Sequence, residues 1–240
     1  MGRARNDLAI YGRTASWWSD DDPLFRQLAA LAPARLAYLG ELGLGLEGLD
    51  VVDLGCGGGL VAVPLARSGA RVTGVDASPG ALAAARAQAS ATGVSLSLLE
   101  ASADAVPLPD ACADLVLCTD VLVHVDHPER VVAEAGRLLR PGGTLFWSTL
   151  QRGWLAAFVA VTLGEDLLGL VHKGTHDPAR FVSLDALSMW VQAAGLSPRA
   201  SMGLGPVGWR RGALRFGRWP LAGVMAQGHA VRPQVARVTK

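Results

Sequence analysis

Short apolar runs that end in acidic or glycine-rich turns recur along the first two thirds of the chain. The run at 51–54 enters a glycine-rich turn at 55–59, and a second run ends in Asp76. An apolar run, a turn and then an apolar-periodic segment are typical of a buried parallel strand that enters a crossover helix. The pattern predicts an α/β fold with a Rossmann-like, doubly wound, mostly parallel sheet and helices on both faces.

The same patterns divide the whole chain into predicted elements. Seven strands are expected, at 51–54, 72–76, 95–99, 114–118, 144–148, 197–204 and 221–226. Helices are expected at 60–68, 79–91, 128–139 and 180–195, and a helix interrupted at Pro33 is expected over 24–43. We expect one domain over 1–240, with a small N-terminal helical cap (1–47), a ligand-binding core (48–150), a lid insertion and helix after the fifth strand (151–195) and C-terminal strands (196–240).

The glycine-rich turn and the next strand end predict a nucleoside pocket. Glycines let backbone N–H groups approach a ligand closely, and Asp76 can accept two hydrogen bonds from a ribose diol. The dinucleotide pattern fails, because the sixth position counted from Gly55 is Leu60. Asp53 precedes the turn, where it would repel a pyrophosphate and attract a cation. The pattern therefore favours a nucleoside that carries a sulfonium and an amino acid.

Composition narrows the choice of partner and compartment. The net charge is +1 and half of the residues are hydrophobic, so nothing points to a nucleic acid, and a small molecule is the expected partner. The three cysteines show no metal-ligand spacing and indicate a reducing compartment. The N-terminal residues lack the apolar core of a signal peptide, so a cytoplasmic location is expected.

The segment that follows the fourth predicted strand holds the candidate reacting groups. Ligands of open parallel sheets bind at the carboxyl ends of the strands, so residues 119–128 should lie beside the reacting group of the ligand. If residues 120–125 form a helical turn, Asp120 and His124 share one face. His124 is the preferred base because an imidazole titrates near neutral pH, and a structural histidine that caps the turn is the alternative.

Several motifs connect these residues to a known family. The pattern Asp-x-Gly-x-Gly-x-Gly from Asp53 resembles motif I of the class I S-adenosylmethionine-dependent methyltransferases. Over nearly its full length the chain also resembles the ubiquinone-biosynthetic O-methyltransferases. That narrower likeness is carried by segments at 15–18, 33–39, 148–152 and 173–177, the last reading Lys-Gly-Thr-His-Asp.

The resemblance implies S-adenosylmethionine as the cofactor. The residues expected around it are Arg35, Asp53, Gly55, Gly57, Asp76, Ser102 and Thr119. The guanidinium of Arg35 suits the carboxylate of the methionine moiety, which it can hold bidentately. Ser102 occupies the position at which many relatives carry a carboxylate for the adenine amino group, so backbone contacts are expected to dominate there.

The resemblance also reveals one departure from the family's pattern. Where the family shows Glu-x-x-Glu-His, this chain has Asp120, Val123 and His124. Valine removes an oxygen ligand from any Mg²⁺ site, so no metal ligands are assigned. A phenol with a pKa of about 10 needs help to lose its proton, which makes His124 the expected base with Asp120 beside it. His176, with Asp177, is a further catalytic candidate, unless the two only hold the lid.

Two segments raise the question of a membrane. Residues 154–171 are the most apolar stretch, but Glu165 and Asp166 interrupt it, so it does not span a bilayer. A lid over the active site and an interfacial helix both remain open. Residues 208–219 interleave arginines with aromatic residues, which suits either anionic lipid headgroups or a solvated hairpin.

The sequence and the resemblance together favour one function over two others. We expect an O-methyltransferase for a small phenolic, catechol or hydroquinone-like aromatic acceptor in ubiquinone-type biosynthesis. A prenyl tail on that acceptor and peripheral contact with an anionic membrane at its inner face are further expectations. The alternatives are methylation of another small metabolite, and a peripheral membrane protein that binds the cofactor without catalysis.

Overall fold

The computed structural model describes residue 6 and residues 8–12, 17–19, 21–210, 213–220 and 222–234. Eight strands of this part of the chain form one sheet: β1 Asp50–Leu54, β2 Arg71–Asp76, β3 Ser97–Glu100, β4 Ala113–Thr119, β5 Leu139–Leu150, β6 Ser197–Arg210, β7 Ala213–Trp219 and β8 Met225–Val231. Their order across the sheet is β3-β2-β1-β4-β5-β8-β6-β7. The first five strands pair in parallel and the last three pair antiparallel.

Helices cover both faces of the sheet. They are α1 Pro23–Glu41, α2 Ala62–Arg67, α3 Pro79–Thr92, α4 Pro128–Leu138, α5 Trp154–Ala157 and α6 Leu184–Ala193, with short 3-10 helices at Leu8–Gly12 and Pro178–Arg180. α5 continues into a π-helical segment, Phe158–Leu167, and we call residues 154–167 the apolar helix. None of the helices in the described ranges is both long enough and apolar enough to cross a bilayer.

The period-two alternation of the buried strands creates the two layers of the core. Leu115 and Leu117 on β4 pack with α1, α2 and α3 on one face, whereas Val116 between them packs with α4 and α6 on the other. Successive side chains of a strand point to opposite faces, so a run that is apolar throughout needs cover on both sides. The predicted doubly wound α/β fold is confirmed.

The sheet has one strand more than the seven expected. β7 lies in the segment for which a hairpin or a lipid contact was left open, and it pairs with an extended β6. The last strand begins at Met225 instead of residue 221. The sequence pattern does not predict β7 as a strand, because the glycines of this hairpin lower its strand propensity. They serve packing here, since a Cβ on Gly205 would lie 2.7 Å from the Trp219 ring.

The expected break at Pro33 is wrong, because α1 runs unbroken from Pro23 to Glu41. Proline removes one helical hydrogen bond and crowds the preceding turn. Its ring lies on the exposed side of α1, while Leu31 and Ala34 beside it are buried. Tertiary packing of the apolar side therefore holds the helix together where local propensity would end it.

Residues 140–143, which lie between the predicted helix 128–139 and the predicted strand 144–148, belong to β5. β5 begins at Leu139 and passes through these residues with a register shift against β4. The backbone of Gly142 donates to Arg232, and Arg232 donates back to Gly143. The last strand end thus supplies the partners that make this segment an irregular strand.

Replacement of Pro33 by alanine tests the helix assignment. Proline in a helix interior is less favourable than alanine by up to about 3 kcal/mol, so Pro33→Ala should raise the free energy of unfolding by about 1–3 kcal/mol in urea titration. Pro23→Ala is the matched control, because proline is well tolerated in the first turn of a helix. If both variants change stability equally, the interior placement of Pro33 is wrong.

Candidate active site

A cleft of about 660 Å³ opens at the carboxyl ends of the central strands. It lies where the strand order reverses between β1 and β4, the usual ligand position in an open α/β sheet. Its lining contains nine of the ten residues singled out from the sequence: Arg35, Asp53, Gly55, Gly57, Asp76, Ser102, Thr119, Asp120 and His124. The sheet topology thus gathers residues that are up to 89 positions apart in the chain.

The carboxylate of Asp76 is positioned by two backbone donors. Gly57 N–H donates to Oδ2 and Ser78 N–H donates to Oδ1, each at 2.8 Å. Burial raises the pKa of Asp76, and the two hydrogen bonds oppose that rise. Each oxygen keeps a lone pair for a further donor, which is the arrangement that two ribose hydroxyls need.

A tryptophan pair covers the glycine-rich turn. A Cβ on Gly57 would lie 2.3 Å from the Trp17 ring, and one on Gly58 would lie 2.5 Å from it. Trp17 also packs against Phe25, and the indole of Trp18 donates to the carbonyl of Gly58 at 2.8 Å. The glycines are therefore needed for close packing of the N-terminal cap as well as for the approach of a ligand.

Asp53 lies buried beneath the cleft. Only 1 % of its surface is exposed, and its Oδ1 has no hydrogen-bond partner among the described residues. Burial raises the pKa of Asp53 to about 7, with Asp76 adding to the rise and Arg35 opposing it. A cationic group placed next to Oδ1 would satisfy both the orphaned oxygen and the carboxylate charge.

Arg35 extends from α1 to the ends of β4 and β5. Its Nη2 donates to Oδ2 of Asp120, while its buried Nε has no partner in the described part of the chain. The hydroxyl of Ser148 donates to Oδ1 of the same carboxylate at 3.1 Å. The orphaned Nε fits the expected role in holding a carboxylate, because a guanidinium offers several donors at once.

Asp120 and His124 do not share a helical face. Asp120 has φ +59°, a left-handed conformation outside the helical region, and only a short turn from Val121 to His124 follows it. Asp120 therefore points to Arg35, whereas His124 points to the N-terminal segment. The prediction from the (i, i+4) spacing is wrong because it requires helical dihedral angles, which Asp120 at the strand end does not have.

Both ring nitrogens of His124 have partners from the N-terminus. Nδ1 lies 2.6 Å from Oδ1 of Asn6, and Nε2 lies 3.2 Å from the hydroxyl of Tyr11. Burial lowers the pKa of His124 to about 4, with a further lowering by His176 and an opposing effect of Asp120. The imidazole is neutral at physiological pH, so one nitrogen keeps a lone pair.

Asn6 and Tyr11 were not anticipated as site residues. They lie 118 and 113 positions before His124, and no local pattern relates them to it. Asp104 is a further residue of the cleft that was missed. Its carboxylate accepts a hydrogen bond from the hydroxyl of Ser102. A carboxylate therefore does stand beside the position at which the resemblance implied one, two residues later in the chain.

His176 is placed behind His124 and not on the cleft lining. The two rings stack with centroids 6.2 Å apart, and His176 Nδ1 lies 2.9 Å from Oε1 of Glu165. Asp177, expected to pair with His176, instead accepts from Ala179 N–H and caps a 3-10 helix. His176 therefore contacts the ring of His124 without itself bordering the cleft.

Glu165 is the buried anchor of this region and was not anticipated either. It is 2 % exposed and accepts from the backbone of Gly174 as well as from His176. Burial alone would raise the pKa of Glu165, but these hydrogen bonds outweigh it and the pKa is lowered. Glu165 lies in the π-helical segment, a geometry frequent at functional sites. It links the apolar helix to His176.

The residues at the family's metal position do not fit a divalent cation. Val123 is buried in the apolar core, the carboxylate of Asp120 is taken by Arg35 and Ser148, and both nitrogens of His124 are engaged. Within the described ranges, no group of three or more histidine, cysteine or acidic side chains is arranged to hold a metal. Mg²⁺ requires near-octahedral oxygen ligands, which this donor set does not offer.

Comparison with known proteins identifies relatives of this chain. A methyltransferase domain model matches residues 52–147. The ubiquinone biosynthesis O-methyltransferase of Cronobacter sakazakii is 38 % identical over 199 residues, covering 82 % of each protein. The corresponding protein of Sodalis glossinidius is 38 % identical over 203 residues, covering 83 % of this chain and 80 % of its own length.

A solved structure shares the fold. Magnesium protoporphyrin IX methyltransferase from Synechocystis, crystallised with bound SAH, superposes with a TM-score of 0.66 over 95 % of each chain at 19 % identity. At that identity the likeness concerns the fold alone.

Asp53 gives the cofactor site a pH dependence that calorimetry can measure. A cationic amino group favours the charged carboxylate, so S-adenosylhomocysteine should bind the deprotonated form, and its affinity should rise as the pH rises through about 7. The expected gain between pH 6 and pH 7 is roughly fivefold, with roughly one proton released on binding at pH 6. Titrations in buffers of different ionisation enthalpy report that proton.

Two variants make the assignment specific. Asp53→Asn should abolish the proton release, whereas Asp126→Asn should retain it, because the carboxylate of Asp126 lies at the exposed rim of the cleft. If the unmodified chain gives equal binding heats in buffers of different ionisation enthalpy, Asp53 does not release a proton when the ligand binds.

Proposed function

The chain belongs to the ubiquinone biosynthesis O-methyltransferase family, and we propose that it methylates a hydroxyl of a phenolic, catechol or hydroquinone-like acceptor in a ubiquinone-type pathway. The observation that carries this proposal is the neutral imidazole of His124, whose ring borders a cleft that also contains the Asp76 carboxylate and the glycine-rich turn. A nucleoside site and a proton acceptor thus share one cavity. Methyl transfer to a phenol needs both.

Three residues account for the cofactor. The oxygens of Asp76 receive the ribose hydroxyls, the orphaned Nε of Arg35 reaches the methionine carboxylate, and Oδ1 of Asp53 receives the amino group. S-adenosylmethionine supplies an activated methyl group on a positively charged sulfur. The chain's contribution is to hold the acceptor oxygen in line with that methyl carbon, which in itself contributes several kcal/mol.

The low pKa of His124 sets the timing of proton removal. Transfer from a phenol with a pKa of about 10 to an imidazole with a pKa of about 4 is uphill by about 8 kcal/mol. That cost disfavours full ionisation before methylation. The acceptor oxygen becomes strongly acidic as its bond to carbon forms, so the proton leaves during or after methyl transfer, when even a weak base suffices.

The exposed face of the apolar helix provides a route for a prenylated acceptor. Trp154 is 80 % exposed and Leu167 is 72 % exposed, and Phe158 and Leu168 are exposed beside them. Large apolar side chains exposed together mark interaction surfaces, and an amphipathic helix with such a face binds at a lipid interface. We infer peripheral contact with the inner face of an anionic membrane, from which an acceptor with a prenyl tail enters the cleft.

The arginine-rich hairpin supplies charge for the same contact. Arg215 and Arg218 on β7 are exposed, as are the apolar rings of Trp209 and Trp219. Arginine attracts anionic headgroups, and tryptophan favours the interfacial layer. Arg211 and Gly212, which also belong to the segment 208–219, lie outside the described residues.

The acceptor class is tested by turnover with labelled methyl donor on a panel of phenols, catechols and hydroquinones. O-methylated product should form with the unmodified chain, and His124→Ala should lower kcat by about 10²-fold or more while leaving S-adenosylhomocysteine affinity within about threefold. His229→Ala is the control, because that histidine pairs with Tyr38 and does not line the cleft. A nitrogen- or carbon-methylated product, or no turnover on the panel, would contradict the proposed chemistry.

The membrane contact is tested by flotation with vesicles of phosphatidylcholine containing phosphatidylglycerol. Replacing Trp154, Leu167 and Leu168 with serine should remove most of the bound fraction, since these exposed side chains supply the buried apolar area. Met189→Ser is the matched control, because Met189 is equally exposed but lies on α6. Equal flotation of the triple variant and the control would refute contact through the apolar helix.

A further inference from the structure

The lone pair of His124 that would serve as base is already engaged by Tyr11. The Tyr11 hydroxyl lies 3.2 Å from Nε2, and the two rings meet edge to face with centroids 5.4 Å apart. Both side chains border the cleft. An acceptor that uses Nε2 directly would have to displace this hydroxyl, whereas one that uses the hydroxyl finds it already connected to the base.

Asn6 fixes the direction of the hydrogen bonds. Its amide nitrogen donates to the backbone carbonyl of His124 at 3.3 Å, which turns its carbonyl oxygen towards the ring. That oxygen lies 2.6 Å from Nδ1 and can only accept, so Nδ1 carries the imidazole proton. Nε2 therefore accepts from the hydroxyl of Tyr11.

The backbone of Tyr11 is held firmly in this position. The indole of Trp17 donates to the carbonyl of Tyr11 at 2.9 Å. The adjacent Gly12 passes so close to α3 that a Cβ on Gly80 would lie 2.1 Å from the Gly12 carbonyl oxygen. Packing at that distance leaves little freedom, so the hydroxyl is placed by the fold and not by a loose side chain.

We propose that Tyr11 is a catalytic residue that relays the proton of the acceptor hydroxyl to Nε2 of His124, an inference that rests on the proposed function. The acceptor oxygen forms its bond to the methyl carbon as the carbon–sulfur bond breaks and its electron pair returns to sulfur. The acceptor proton passes to Oη of Tyr11, and the Tyr11 proton passes to Nε2. The products are a methyl ether, a neutral thioether and an imidazolium whose Nδ1–H is held by Asn6.

The environment of Tyr11 suits a relay and not a stored tyrosinate. Burial, together with the charges of Asp120 and Glu165, raises the pKa of the Tyr11 hydroxyl. The Tyr11 hydroxyl therefore stays protonated, so it must give up its own proton to His124 in the same event in which it receives the proton of the acceptor. Its oxygen has no partner besides His124 in the described part of the chain, which leaves a lone pair for the acceptor.

Single-turnover rates of Tyr11→Phe on catechols of different acidity test the relay. For a catechol that is protonated at the assay pH, the rate should fall by about 10²-fold. For a nitro-substituted catechol whose accepting hydroxyl is already ionised, the fall should be less than about threefold, because that hydroxyl has no proton left to relay. His124→Ala should show the same dependence, and the double variant should be no slower than either single one, because both residues serve one proton path.

Tyr38→Phe is the matched control. Tyr38 is the other tyrosine of the chain, and it also pairs with a histidine, His229, at 2.9 Å, but outside the cleft. It should show no dependence on acceptor acidity. A penalty for Tyr11→Phe that is the same across the acceptor series would overturn the relay in favour of a packing role. A faster Tyr11→Phe enzyme with a lower acceptor KM would overturn it in favour of a blocking role.

Nitrogen NMR of the histidines separates this inference from the proposed function. In the free chain, Tyr11→Phe should shift the Nε2 resonance of His124 and leave that of His229 unchanged. An unchanged His124 resonance overturns the Tyr11 contact, even in a chain that methylates no phenol. Absence of phenol methylation by the unmodified chain would instead refute the proposed function.

Discussion

The ion pair between the buried Arg35 and the half-buried Asp120 is the interaction on which the site depends. It joins α1 to the end of β4, and the hydroxyl of Ser148 brings in β5. Removing a charge from water costs several kcal/mol, and loss of Asp120 would leave the buried guanidinium of Arg35 without an ionic partner. The N-terminal cap therefore cannot leave the strand ends without a large free-energy cost. The left-handed backbone at Asp120 is tolerated because these contacts determine it.

Burial also explains why the pKa values of two acid–base groups shift in opposite directions. Burial raises the pKa of Asp53 and lowers the pKa of His124, and in each case it favours the neutral form. A cationic ligand would reverse the effect at Asp53, where an oxygen lacks a partner, but not at His124, where both nitrogens are satisfied.

The sheet core could be predicted from the sequence because its signals are local. Each of the first five strands is an apolar run next to a turn, and the positions of Asp53 and Asp76 follow directly from the strand ends. The predicted break at Pro33 is wrong because packing of the apolar side of α1 outweighs the local cost of proline in a helix. β7 is absent from the predicted strands because glycines of the hairpin weaken the strand pattern. One of them is Gly205 on β6, which makes room for Trp219.

The cofactor end of the site was predictable for the same reason, whereas the acceptor end was not. Tyr11 and Asn6 reach His124 across more than 110 residues, and no spacing rule connects a terminal segment to a strand end. Glu165 interrupted an apolar stretch and was interpreted only as evidence against a membrane span. Only the folded structure brings the Glu165 carboxylate within hydrogen-bond distance of His176.

The acceptor end is consistent within itself once Val123 is considered together with its neighbours. A second carboxylate at that position would offer oxygen to a cation, and the cation would stabilise a phenolate. Val123 instead packs in the core, and burial around His124 penalises any full charge. Such a surface favours a neutral phenol over its anion, because desolvating a phenolate is costly without a cationic partner. Acidity then has to develop on the acceptor oxygen as its bond to carbon forms, and a weak, pre-aligned proton acceptor is sufficient from that point onward.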